Sequence, residues 1–175
     1  MKALPVVGKL ISVVFASLIL AACSSTDTTD EDAAAAAAEA AAAEQAAQEA
    51  RAQAAAAKAE QQRLHDAAMA AGTVFYFAFD SSALTDEART AVDAHIAALL
   101  GNDHSIRLEG HTDERGTREY NLALAERRAN AVRDYMVANG VASYRIETIS
   151  YGEENPVAFG SGESNWQQNR RVELK

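Results

Sequence analysis

The chain has 175 residues, a formal net charge of −9 and a pI of about 4.9, a surface that repels phosphate and so excludes nucleic acid as a natural partner. Its single cysteine, Cys23, excludes an intramolecular disulfide. Although 49% of the residues are apolar, alanine supplies much of that share between positions 33 and 71. The residues able to build a core therefore follow Gly72 and define one domain of roughly 100 residues, a size that folds without covalent staples.

Residues 1–22 have the pattern of a cleavable export leader: Lys2 and Lys9 give a positive start, and residues 10–20 (LISVVFASLIL) form an apolar run. That run is shorter than the roughly 20 apolar residues a membrane-spanning helix needs. Leu20, Ala21, Ala22 and Cys23 resemble the lipobox of bacterial lipoproteins, in which the cysteine thiol is acylated before the leader is removed. The alternative is an ordinary secretory leader followed by a chance cysteine. Lipidation at Cys23 would give a stable anchor, since each buried CH₂ contributes about 0.8 kcal/mol. Ser24 stands where an Asp resembles an inner-membrane retention signal, so the resemblance implies the outer membrane, with the chain facing the periplasm.

Residues 23–32 continue as a small, polar and acidic leash (SSTDTTDED after Cys23) with too few apolar groups to offset the entropy of ordering. Residues 33–71 are Ala, Glu, Gln, Arg and Lys in the main, without Gly or Pro, and predict a helical spacer ending at Gly72. At 1.5 Å per residue it would reach roughly 58 Å. A coiled coil is the rival reading, but Leu64 and Met69 are its only large apolar residues and form no heptad seam.

Residues 73–175 carry the folded domain. Residues 73–79 (TVFYFAF) predict a strand ended by Asp80-Ser81-Ser82. Thr85 is placed to cap a helix whose buried positions are Ala88, Val92, Ile96 and Leu99, up to Gly101. Residues 105–110 (SIRLEG) predict a second strand, and residues 117–139 a longer helix with Leu122, Ala125, Ala129, Val132 and Met136 on its buried stripe, closed by Gly140. Residues 145–150 (RIETIS) and 171–175 (RVELK) complete the strands. The alternation implies a two-layer α/β (α+β) sandwich in the order βαβαβ(α)β, one mixed sheet with helices on a face.

The run Gly110-His111-Thr112-Asp113-Glu114-Arg115-Gly116-Thr117, followed by Tyr120-Asn121, Arg127-Arg128-Ala129, Tyr151-Gly152 and Asn169-Arg170-Arg171-Val172, resembles in order and spacing the OmpA-like peptidoglycan-binding domains over all of residues 73–175. Residues 112–117 (TDERGT) together with the lipobox resemble the peptidoglycan-associated lipoproteins within that group, although the Ala-rich segment departs from their short, Pro-containing linker. This resemblance implies noncovalent binding of peptidoglycan, with Asp113 and Arg128 on the diaminopimelate head group and Thr112, Asn121, Asp80 and the backbone near Leu84 supplying hydrogen bonds. It also implies a partner, the periplasmic propeller protein TolB of the Tol system, on surface shared with Asp80 and residues 112–117.

The residue chemistry agrees. The end of a diaminopimelate side chain is a zwitterion, an ammonium and a carboxylate on one carbon, and its recognition needs an anion and a cation a few ångströms apart. Asn121 and Arg128 are seven positions apart on the predicted helix, nearly on one face and about 10.5 Å apart along its axis. Arginine's planar fork matches a carboxylate. Such a pair is expected at a solvent-accessible pocket; the competing reading of the two residues is a surface ion pair or helix-end interaction. Arg127 and Arg170 have either a supporting role or that of solvated or sheet-edge charges. Gly110 and Gly116 serve backbone geometry. His111, Asp113 and Glu109 form only a weak metal motif. No cofactor is expected beyond lipid on Cys23, and the absence of a nucleophile motif or phosphate-cradling glycine loop favours binding over catalysis. A peptidoglycan hydrolase, and a spacer joined covalently to the wall through Lys175, stand as alternatives; Lys175 is expected to end a core strand.

Replacing Cys23 by Ser should leave the protein soluble in the periplasm or as uncleaved precursor, with the domain folded. Cys23→Ser protein that still floats with peptidoglycan-stripped outer-membrane vesicles would refute the lipid anchor.

Overall fold

The computed structural model describes residues 28–175; the leader, Cys23 and the start of the leash lie outside the described residues. The first element, α1 (Thr28–Ala71), begins inside the segment expected to be a leash. Asp30, Glu31 and Asp32 lie in its opening turns. Residues 32–63 are exposed throughout. Compactness divides the chain between Gln48 and Glu49. Within the second unit, Ala68 is buried and the Gln61 amide donates to the Gly101 carbonyl. Gly72, at φ +85°, ends the helix, and His95 Nε2 donates to its carbonyl at 2.8 Å.

Four strands follow: β1 (Val74–Tyr76), β2 (Ile106–His111), β3 (Ile146–Gly152) and β4 (Arg171–Leu174). Their order in the sheet is β1-β4-β2-β3, with β4 antiparallel to both neighbours and β2 parallel to β3. The parallel pair requires a crossover, which α3 (Arg118–Ala138) provides, while α2 (Asp86–Leu100) joins β1 to β2. Thr85 Oγ1 accepts from Ala88 N at 3.1 Å, and Thr117 Oγ1 from Tyr120 N at 3.2 Å. Both helix starts thus have the threonine caps their sequences call for.

Phe75, Leu108 and Val172 from the sheet, Val92, Ile96 and Leu99 from α2, and Ala129, Val132 and Met136 from α3 form one buried cluster. The opposite sheet face carries charge: Arg107 pairs with Glu147 at 2.9 Å, and Glu173 with Arg171 and Lys175 at 2.6 and 2.7 Å. This is the mixed-sheet α+β architecture expected from the element order, and α4 (Glu163–Asn169) is its bracketed helix.

Two local expectations need correction. β1 stops at Tyr76, not at position 79, because after Phe77 N bonds the Arg170 carbonyl at 2.9 Å the chain turns away and the Arg128 side chain takes the Ala78 and Ser81 carbonyls. On α3, Leu122 is only half-buried. It lies at the margin against Gly152, and the inward face carries Asn121, Leu124, Ala125 and Arg128 instead.

α3 lies directly on the β2 backbone where Gly110 provides the space. A Cβ there would stand 2.1 Å from the Ala125 carbonyl oxygen. Gly110→Ala should therefore destabilise the domain by about 1–3 kcal/mol, the usual cost of overpacking, measured by urea or thermal unfolding. An unchanged midpoint would show that α3 can move away freely.

Candidate functional site

Residues 112–117 link β2 to α3. Asp113 Oδ1 accepts from Arg115 N at 3.1 Å, an aspartate turn that holds the loop tight, and Gly116 at φ +109° takes a conformation natural to glycine. Thr117 then starts α3. The loop faces the segment after β1 and the residue after α4. Between them lies a cavity of about 210 Å³ lined by Phe79, Asp80, Thr112, Asp113, Arg115, Gly116, Tyr120, Asn121, Leu124, Arg128 and Arg170.

Asp113 is 4% exposed. Its carboxylate accepts from Arg115 Nε at 3.1 Å, Arg115 Nη2 at 2.6 Å and Arg170 Nη1 at 3.3 Å. Burial raises its pKa, but the Arg115 hydrogen bonds and charge, with Arg170, outweigh burial and hold it below the usual carboxylate range. Arg128 is 0% exposed. Its Nε donates to Ser81 O at 2.8 Å, Nη1 to His111 O at 2.9 Å and Nη2 to Ala78 O at 3.1 Å. Burial first, partly offset by the Asp113 charge, brings its pKa down to about 10, so it remains charged at neutral pH. Both residues line the cavity, yet neither has the solvent exposure expected of a surface pair. Much of Arg128's fork is committed to backbone carbonyls. Of its five N–H groups, three make those bonds and one on each terminal nitrogen remains uncommitted.

The cavity brings together Asp80, Thr112, Asp113, Asn121, Arg128 and Arg170. It leaves out Leu84, which packs half-buried against the core, and Arg127, which is exposed with its guanidinium 5.8 Å from the Tyr120 ring centre. Leu84 is one helical start removed from the site, and Arg127 points away because its neighbour Arg128 takes the inward position. The Asn121 amide donates to Glu153, and the Tyr120 hydroxyl donates to Asp80, a hydrogen bond that raises the tyrosine pKa.

Arg115, Phe79 and Tyr120 belong to the site but were not singled out for it by residue chemistry. Arg115 lies within the TDERGT run, and its guanidinium stands 4.0 Å from the Phe79 ring centre and 4.1 Å from that of Trp166, the chain's one tryptophan. Thr112 Oγ1 is buried without a protein hydrogen-bond partner, as are both ring nitrogens of His111. The His111 ring stacks on Tyr151, centres 5.5 Å apart. Among the described residues no group of His, Cys, Asp and Glu side chains is arranged to hold a metal.

A mixed four-stranded sheet under two helices, with a buried acid and buried arginines gathered where β2 ends and α3 begins, defines a small α+β ligand-binding module. The chain belongs to the OmpA family, whose model matches residues 76–170. It is 57% identical over 110 residues to the peptidoglycan-associated lipoprotein of Pseudomonas aeruginosa, a match covering 63% of this chain and 66% of that protein. It is 50% identical over 109 residues to the Mesorhizobium japonicum peptidoglycan-associated lipoprotein, covering 61% and 64%. The matched region thus spans a little under two thirds of these relatives. The crystal structure of the Burkholderia pseudomallei peptidoglycan-associated lipoprotein is similar at 43% identity and a TM-score of 0.58, covering 59% of this chain and 89% of that one. The C-terminal domain of Helicobacter pylori MotB shares the fold at 25% identity and a TM-score of 0.54, covering 58% and 81%.

His111 yields a test of the site's burial. Desolvation, helped by the Arg171 charge, lowers its pKa from 6.5 to about 4. The unfolded chain therefore binds a proton that the folded chain refuses between those values, and stability present above pH 6.5 is lost as pH falls towards about 4. In paired denaturant titrations, His111→Phe should flatten that part of the stability profile. A parallel decline in both proteins would mean that His111 is protonated freely in the folded state.

Proposed function

We propose that this domain binds peptidoglycan noncovalently, its cavity receiving the zwitterionic end of a diaminopimelate residue in the stem peptide. One observation carries the reading: a buried carboxylate, Asp113, and a buried guanidinium with uncommitted N–H groups, Arg128, face a single cavity of about 210 Å³. The ligand ammonium goes to Asp113 and its carboxylate to Arg128. Thr112 Oγ1, buried and unpartnered, supplies a hydrogen bond, and exposed Phe79 lies beside the aliphatic stem. A buried hydroxyl without a partner costs free energy that a ligand recovers. The names of the matching lipoproteins support peptidoglycan as the polymer bound.

In this reading Cys23 carries the lipid, the protein faces the periplasm from the outer membrane, and the Ala-rich helix spaces the binding domain from its anchor. The chain thereby ties the outer membrane to the wall and serves envelope integrity and cell division within the Tol-Pal system. TolB is the protein partner, meeting surface around Asp80 and residues 112–117. Binding, not bond cleavage, is the activity.

Purified sacculi and soluble muropeptides test the site. Asp113→Asn should lower affinity by more than about tenfold, since breaking one half of a desolvated charge contact commonly costs about 2–5 kcal/mol. Thr112→Val removes a hydroxyl with no protein partner, so binding should weaken while the melting temperature holds. Arg128→Lys should lose stability as well as binding, because its three carbonyls depend on the fork. Undiminished binding by folded Asp113→Asn and Thr112→Val would sink this assignment, and steady release of muropeptides from sacculi would replace binding with hydrolysis.

A further inference from the structure

The anion meant for the ligand is already occupied. Asp113 accepts four hydrogen bonds from the protein, three from Arg115 and one from Arg170. The two arginines are held differently. Arg170 is buried, with Nε donating to Phe77 O at 3.1 Å and Nη2 to Glu163. Arg115 retains 30% side-chain exposure, lines the cavity, and lies between the faces of Phe79 and Trp166. A second acceptor is already near: Glu163 Oε2 stands 3.8 Å from Arg115 Nη2. Movement from Asp113 to Glu163 would require only a short displacement between the same two rings.

We propose that Arg115 is an internal competitor for the ligand's ammonium, a cation that every ligand must displace from Asp113, so that only a ligand with a further contact to offer binds well. The inference rests on the peptidoglycan-binding reading above. A bare ammonium trades a forked guanidinium–carboxylate pair for a point-charge contact, an unfavourable exchange. A zwitterion makes the same exchange but adds its carboxylate to the uncommitted N–H groups of Arg128, so only the zwitterion recovers the loss. The competing contact lowers both affinities alike, and the ratio between the ligands is set by the carboxylate on Arg128. Glu163 receives the displaced guanidinium.

Titration of the full chain with two soluble muropeptides, one with meso-diaminopimelate and one with lysine at the same position, decides the matter. Wild type should prefer the diaminopimelate form. Arg115→Gln should bind both forms about tenfold more tightly, a change of about 1.4 kcal/mol, with the preference between them kept. Arg115→Lys, which keeps the charge but not the fork, should show a smaller gain for both. Glu163→Gln should weaken binding of both ligands in the wild-type background and have a smaller effect when Arg115 is already Gln, the remainder coming from its contact with Arg170. Weaker diaminopimelate binding by Arg115→Gln would overturn the proposal and make Arg115 a direct ligand contact. An unchanged affinity for both ligands in Arg115→Gln, or a Glu163→Gln effect of equal size in both backgrounds, would overturn it too. If wild type binds neither muropeptide, the peptidoglycan reading itself fails.

Discussion

The buried guanidinium of Arg128 is the interaction on which the rest of the binding face depends. Its three hydrogen bonds reach Ala78 and Ser81 in the segment after β1 and His111 at the end of β2, fastening two stretches of irregular backbone to one side chain of α3. The bond to the His111 carbonyl is buried, and a buried carbonyl left without a donor costs about 1–3 kcal/mol. The guanidinium in turn escapes the penalty of an isolated buried charge because carbonyl dipoles and Asp113 surround it. The Phe77 ring, 5.4 Å from the guanidinium carbon, closes another side. One residue therefore shapes the cavity wall and presents positive charge to its interior.

That arrangement explains how a strongly acidic chain maintains a locally basic pocket. Arg115, Arg128 and Arg170 outnumber Asp80 and Asp113 among the lining residues, so the lining carries one net positive charge before any ligand arrives. Glu163 and Glu153 stand at the margin, one bonded to Arg170 and the other to Asn121. Arg128 and Arg170 are buried and fixed before binding, which reduces the reorganisation a ligand must drive, and leaves Arg115 as the cation that moves. The same network places the polar selectivity of the site in residues contributed by four separate stretches of chain, namely the turn after β1, the β2–α3 loop, α3 and the residue after α4.

Close approach of α3 to β2 is the second constraint. With no Cβ at Gly110, the Ala125 carbonyl can approach the sheet, and this brings the start of α3, with Asn121, over the end of β2 and its loop. The inward face of α3 consequently changes character along its length. It is polar and charged at Asn121 and Arg128, where it borders the cavity, and apolar at Ala129, Val132 and Met136, where it meets the core. A helix of this kind serves the site at one end and stability at the other.

Element types and caps were legible in the sequence because they rest on local chemistry. Thr85 and Thr117 accept from backbone donors three residues on, and the apolar spacing of α2 faces the core as a helical period requires. The motif residues also identified most of the cavity lining. What only the tertiary structure decided was how each of these groups is used. Arg128 looked like a free fork and is largely spent on carbonyls some fifty positions earlier and seventeen earlier in the chain; Leu84 and Arg127 lay close in sequence to the site and fall outside it. Arg115 appeared as one residue of a loop motif, yet its role comes from Phe79, Trp166 and Glu163, which converge on it from distant positions. Local hydrogen bonding and hydrophobic period are properties of neighbouring residues, whereas burial, charge pairing and competition for Asp113 exist only once long-range contacts have closed.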